Sequence, residues 1–208
     1  MIRVLAALSL GLICSINAQA ALLAKYSFTS NLAADAGSVA PGVTAGAFTS
    51  LAPGSVSNAS GRARFDVTSS TASFVNQATV QISEPVFGIY INQIKFDLSR
   101  VGTAAIGNGT LLITNNINGE TFSVASTSSS FISQTWNLSP GFSSTSPIIF
   151  TLSQKWDGVG GPTITGTTLR IDNFEINGAK VPEPASMAVF GVLGLAGIAY
   201  RRRLKANA

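Results

Sequence analysis

Glycoside hydrolysis needs only two suitably placed carboxyl groups, and Asp66, Glu84, Asp97, Glu120, Asp157, Asp172 and Glu175 are candidates for such a pair. The commoner fate of Asp and Glu is a solvated strand or turn position. No strand-borne Glu-x-Asp-x-x-Glu spacing is present, so catalysis is the lesser expectation. Histidine is absent altogether. That excludes Ser-His-Asp and Cys-His relays, imidazole-ligated zinc and histidine proton shuttles. No GxxxxGK[ST] phosphate cradle occurs. Calcium takes carboxylate, amide and backbone oxygens. Asp172, Asn173 and Asp157 could offer them, but a structural turn is the stronger reading, and neither a metal nor a cofactor is expected. Exposed aromatic rings could instead stack on sugars. Trp156, beside Asp157 and a glycine-rich run, leads Trp136 and Tyr90 as a carbohydrate contact, and burial in a core is the competing reading for both tryptophans. Asn58-Ala-Ser60, Asn108-Gly-Thr110 and Asn137-Leu-Ser139 fit the glycosylation pattern.

A second kind of chemistry is done to the chain rather than by it. Arg3, the apolar run Val4 to Ile16 and the small-x-small triplet Ala18-Gln19-Ala20 read as a signal peptide cut after Ala20. Cys14, the only cysteine, lies inside that segment. Removal of the leader leaves a chain that can form no disulfide. At the other end stands Val181-Pro182-Glu183-Pro184. Each proline fixes its own φ and drives its predecessor to extended geometry. Glu183 is thus presented on a stiff segment that an enzyme cleft could grip. Residues 185–200 carry no charge. As a helix they reach about 24 Å at ~1.5 Å per residue, against a hydrocarbon core of roughly 30 Å, and snorkelling arginines can make up the difference. Gly191, Gly194 and Gly197 give that helix one small face. Arg201, Arg202 and Arg203 then stop transfer and stay in the cytoplasm.

Between these ends the charge nearly cancels. The net charge is +4, yet residues 21–184 hold eight basic against nine acidic side chains. No footprint for nucleic acid remains. Ser, Thr, Gly, Asn, Val, Ile and Phe dominate residues 21–180, which is strand composition with turn punctuation. In Arg62–Val67, Ala63, Phe65 and Val67 share a face. In Gln93–Leu98, Ile94, Phe96 and Leu98 oppose Lys95 and Asp97. Thr168–Ile176 has mixed faces, which predicts a change of face or a bulge near Asp172-Asn173. Thr110–Ser126 reads as a hairpin with a type I′ turn at Asn118-Gly119. Lys25–Thr29, Val43–Thr49, Ser73–Ile82, Val86–Ile91, Phe131–Leu138 and Ile148–Ser153 are further strands, while Ser50–Gly61 and Asp157–Pro162 read as loops. Around ten short strands predict an all-β, antiparallel two-sheet sandwich of jelly-roll type, with a closed barrel as the rival.

The tail order V-P-E-P-A-S, a glycine-studded apolar stretch, then R-R-R resembles the PEP-CTERM sorting signal of Gram-negative bacteria. The body is similar, less specifically, to sandwich domains that precede such tails, through Tyr26-Ser-Phe28, Ala40–Ala45 and Leu169–Phe174 with Asn177-Gly178. The resemblance implies an exosortase, a membrane-embedded transpeptidase-like enzyme, as partner. It also implies an inner-membrane precursor later delivered to the surface, with extracellular polysaccharide nearby. It implies no catalytic residues. The expected layout is a signal peptide over 1–20, a sandwich over 21–180 and a sorting signal over 181–208. That signal comprises the motif Val181–Pro184, a transmembrane helix over 185–200 and a basic tail over 201–208.

Overall fold

Alternation of apolar and polar residues produces twelve strands among the described residues. They are β1 (Ala21–Tyr26), β2 (Thr44–Ala45), β3 (Thr49–Ser50), β4 (Ser55–Asn58), β5 (Ala63–Asp66), β6 (Val75–Ser83), β7 (Ile89–Val101), β8 (Gly109–Asn115), β9 (Thr121–Ser126), β10 (Ile132–Ser144), β11 (Ile148–Trp156) and β12 (Thr168–Lys180). The structure is a computed structural model that describes residues 21–66, 74–101, 109–156 and 168–181, with Gly191 and Gly194. One sheet runs β10-β7-β12-β5-β4, with β1 also paired to β12. The other runs β2-β6-β11-β8-β9, with β3 also on β6. Every pairing is antiparallel. Both sheets give their inner faces to one core, so the fold is the predicted two-sheet sandwich.

The mixed faces of residues 168–176 resolve into one bulge. Asp172 pairs with Asp97 and Glu175 with Lys95, so two residues of β12 stand opposite Phe96 alone. Asn173 absorbs the bend at φ 48°, a left-handed conformation that Asn tolerates better than most residues. Inward positions switch parity there. Leu169 and Ile171 are buried before the bulge, and Phe174 and Ile176 after it. The same break separates two neighbours: β12 pairs with β5 over Thr168–Ile171 and with β1 over Phe174–Gly178.

Phe174 joins a chain of aromatic rings through the core. Phe48 meets it edge-on at 5.3 Å, and Tyr26 and Phe28 cluster on Phe48. On the other side Phe96 stacks at 6.0 Å, then Phe122, Trp136 and Phe150 carry the contacts across to the second sheet. Edge-to-face and offset pairs of this kind add to the gain from burial itself. The Tyr26 hydroxyl donates to the Gly46 carbonyl at 2.8 Å, and burial pushes its pKa up.

Several expectations on the strands need correction. The hairpin forms, but only Gly119 has positive φ in its turn, at 71°. A type I′ turn needs two such residues. Residues 116–119 instead loop around the Asn115 side chain, whose Oδ1 accepts from the amides of Ile117 and Asn118. Val43–Thr49 splits into two short strands, and the Ser50–Gly61 loop contains β4. Val86–Ile91 and Gln93–Leu98 fuse into β7. The signal peptide, Asp157–Pro162 and most of residues 185–200 lie outside the described residues. Gly191 and Gly194 have helical backbone, and no helix among the described residues is long and apolar enough to cross a membrane. Replacing Phe174, which bridges the two halves of the aromatic chain, by Ala should cost about 3–5 kcal/mol. Urea unfolding should show it as a lower midpoint with an unchanged m-value.

Candidate functional site

Outward positions on four strands meet in a groove of about 300 Å³ on the outer face of the first sheet. β10 supplies Ser133 and Thr135, β7 Lys95 and Asp97, β12 Asn173 and Glu175, and β1 Lys25. Strand alternation explains the polarity: Ile94, Phe96 and Leu98 point into the core, so Lys95 and Asp97 point out. The bulge supplies the rest, because it re-aims Asn173 toward β7. Asn173 Nδ2 donates to Asp97 Oδ2 at 2.9 Å, and Ser133 Oγ donates to Asp97 Oδ1. Lys25 Nζ pairs with Glu175 Oε1 at 3.1 Å. Two ammonium groups and two carboxylates balance, and hydroxyls and amides surround them. Such a surface suits a neutral ligand that both donates and accepts hydrogen bonds.

A second feature lies at one end of the sandwich. β12 ends at Lys180, paired with Ile89, and the Val181 amide donates to the Gly88 carbonyl at 3.1 Å. That carbonyl is presented by the turn between β6 and β7. Glu84 shapes the turn: its Oε2 accepts from the amides of Phe87 at 2.6 Å and Gly88 at 2.7 Å. Gly88 sits at φ 83°, where a Cβ would stand 2.6 Å from the Ser144 carbonyl oxygen, so no other residue fits comfortably. The Phe87 amide above all, then the Gly88 amide and the nearby Lys180 ammonium, holds the Glu84 carboxyl below its ordinary pKa. β1 starts at this same end, with Ala21 opposite Gly178. The two ends of the sandwich chain therefore emerge side by side.

The sequence-predicted site residues scatter. Trp136 is a core residue, stacked on Phe122 at 5.8 Å, and presents no ring to a sugar. Its alternation with polar Thr135 and Asn137, in step with Leu138, was the signal for burial. Tyr90 is half-buried with its hydroxyl against Gly141. The side chains of Trp156 and Asp66 lie outside the described residues, as do Asp157, Ala18, Ala20, Pro182, Glu183, Pro184, Arg201, Arg202 and Arg203. Of the carboxylates, Asp97 and Glu175 come together in the groove, and Asp172 is the cross-strand neighbour of Asp97. Glu84 serves the turn, and Glu120 lies in the β8–β9 hairpin. Among the described residues no three His, Cys, Asp or Glu side chains converge as a metal site would require. Asn58 gives its amide to the carbonyls of Phe28 and Asn31. Asn137 is exposed and accepts from Gln93 at 2.7 Å, and Asn108 is outside the described residues. Lys25, Lys95, Ser133 and Thr135 were not anticipated, because strand order alone makes them neighbours.

Residues 180–203 match the family model of the PEP-CTERM protein-sorting motif. The chain thus carries this motif, and it begins on the last residue of β12. No curated protein matches the chain. Among solved structures, mutants of a Family 29 carbohydrate-binding module are similar at 12–14% identity. One covers 76% of this chain and 93% of its own, with a TM-score of 0.38. Another, complexed with mannohexaose, covers 76% and 92%, also at 0.38. At that score the likeness carries no argument about this chain.

The Glu84 turn has a pH signature. Because the folded state holds this carboxyl below its ordinary 4.5, the unfolded chain takes up the proton first as pH falls. The stabilisation is complete above about 4.5 and is lost as pH drops below it. Glu84→Gln should lower the unfolding midpoint at neutral pH and flatten its fall in acid, as measured by urea titrations across the acid range.

Proposed function

We propose that this is an exported, non-enzymatic cell-surface or extracellular-matrix protein of a Gram-negative bacterium. Residues 185–200 hold the precursor in the inner membrane, and an exosortase acts on Pro182-Glu183-Pro184 to deliver the body to the surface. The observation that carries this reading is the sorting motif over residues 180–203, which starts where the sandwich ends. The groove also supports a role other than hydrolysis. Its two carboxylates, Asp97 and Glu175, are already engaged by amide, hydroxyl and ammonium donors. Glu183→Ala should leave a full-length precursor in the inner-membrane fraction, while the natural chain loses its terminal arginines and moves to the surface. Identical size and location for the two proteins on blotted fractions would refute the reading.

A second reading concerns what the body does once delivered. The balanced polar groove favours binding to a neutral extracellular polysaccharide through Lys95, Asp97, Asn173 and Ser133. Asp97→Ala should weaken such binding roughly tenfold or more, the worth of a hydrogen bond to a charged group, and leave the far-ultraviolet spectrum unchanged. Titration calorimetry against neutral polysaccharides measures it. Equal affinity for the natural and Asp97→Ala proteins would remove the groove from the interaction.

A further inference from the structure

The sandwich and the sorting motif have no spacer between them. Lys180 makes the last rung of the ladder, and Val181, the residue before the Pro182-Glu183-Pro184 triplet, is still bonded to Gly88. From Lys180 to Ala185, where the uncharged run begins, there are five residue steps, at most about 18 Å when fully extended. The headgroup layer on one side of a bilayer takes up roughly 5–8 Å of that distance. At most about 10–13 Å is then left between the sandwich and the lipid, on the order of one or two layers of side chains.

The same end carries the apolar surface such a position would use. Among the described residues five large hydrophobic side chains are exposed, and three lie here: Val86 at 66%, Leu22 at 39% and Ile117 at 37%. Val86 is in the turn bonded to Val181, and Leu22 pairs with Asn177 near the end of β12. Ile117 is in the β8–β9 turn, whose Asn116 amide bonds back to Ile149 at the foot of β11. Both sheets thus contribute to one end. The other two, Phe74 and Ile132, lie at the far end, beside the start of β6 and the start of β10. Exposed apolar side chains at a short, covalently fixed distance from a membrane enter its headgroup and acyl boundary.

We infer that Val86, Leu22 and Ile117 form a foot with which the precursor rests end-on upon the lipid surface of the membrane that holds residues 185–200. This rests on the membrane-held precursor proposed above. The test uses the precursor without its leader, residues 21–208, which contains no cysteine, reconstituted in vesicles of phosphatidylethanolamine and phosphatidylglycerol. A fluorophore on Val86→Cys or on Ile132→Cys reports contact with quencher-bearing lipids. The expected result is that both proteins float with the vesicles and fluorescence is lost at position 86 but kept at 132. Flotation with equal fluorescence at the two positions would overturn the foot and spare the membrane tether. Failure to float would overturn both.

Discussion

The left-handed turn of one residue, Asn173, organises the first sheet. A regular strand through residues 168–176 would bury Leu169 and Ile171 and then turn Phe174 and Ile176 to water. The bulge reverses the parity, so all four enter the core. An Asn at φ 48° is strained relative to extended backbone. That cost is small beside the burial of a whole phenylalanine and isoleucine, each of which contributes about 1.5–3 kcal/mol. The bulge also parts the neighbours of β12, leaving β5 on one stretch and β1 on the next. The meeting of Lys25 with Glu175, and of Asn173 with Asp97, follows from it.

How much of this was legible depended on the range of the forces involved. Alternation is local, so the strand content, the hairpin and the Asp172-Asn173 irregularity could be read from the residues. Breaks in alternation are ambiguous, however, because a bulge and a loop look alike. Ile89 and Ile91 face inward on odd positions and Ile94, Phe96 and Leu98 on even ones. That suggests two strands with a gap. Pairing with β12 instead leaves Asn92 as an extra residue in one continuous strand. Around Pro140 in β10 the register also shifts, between Asn137 and Phe142, as expected where a proline cannot donate to the ladder.

The groove was illegible for a different reason. Its residues come from four strands, and their adjacency is set by sheet order, which depends on how crossovers pack. Asp97 could be named as a carboxylate but not as the acceptor from Ser133 and Asn173. Of the aromatic candidates, Trp136 takes the core position that was its competing reading. Trp136 stands in step with Leu138, and the pattern that buries one buries the other.

Strand direction ties the two features of the molecule together. β12 carries the sorting motif off its last residue and contributes Asn173 and Glu175 to the groove from its middle. Glu175 is five residues before Lys180, about 17 Å at ~3.4 Å per residue along an antiparallel strand. A sandwich standing on the end from which the motif leaves would hold its strands upright. The outer face of the first sheet would then be directed sideways, with its groove set back from that end by somewhat less than half the length of β12. At the end from which the motif leaves, the Glu84 carboxylate takes the amides of Phe87 and Gly88, and the Gly88 carbonyl takes that of Val181. On the proposed reading, a polar groove placed partway up a sheet would stay open to the surroundings both before and after processing of the tail, and ligand access would not have to wait for it.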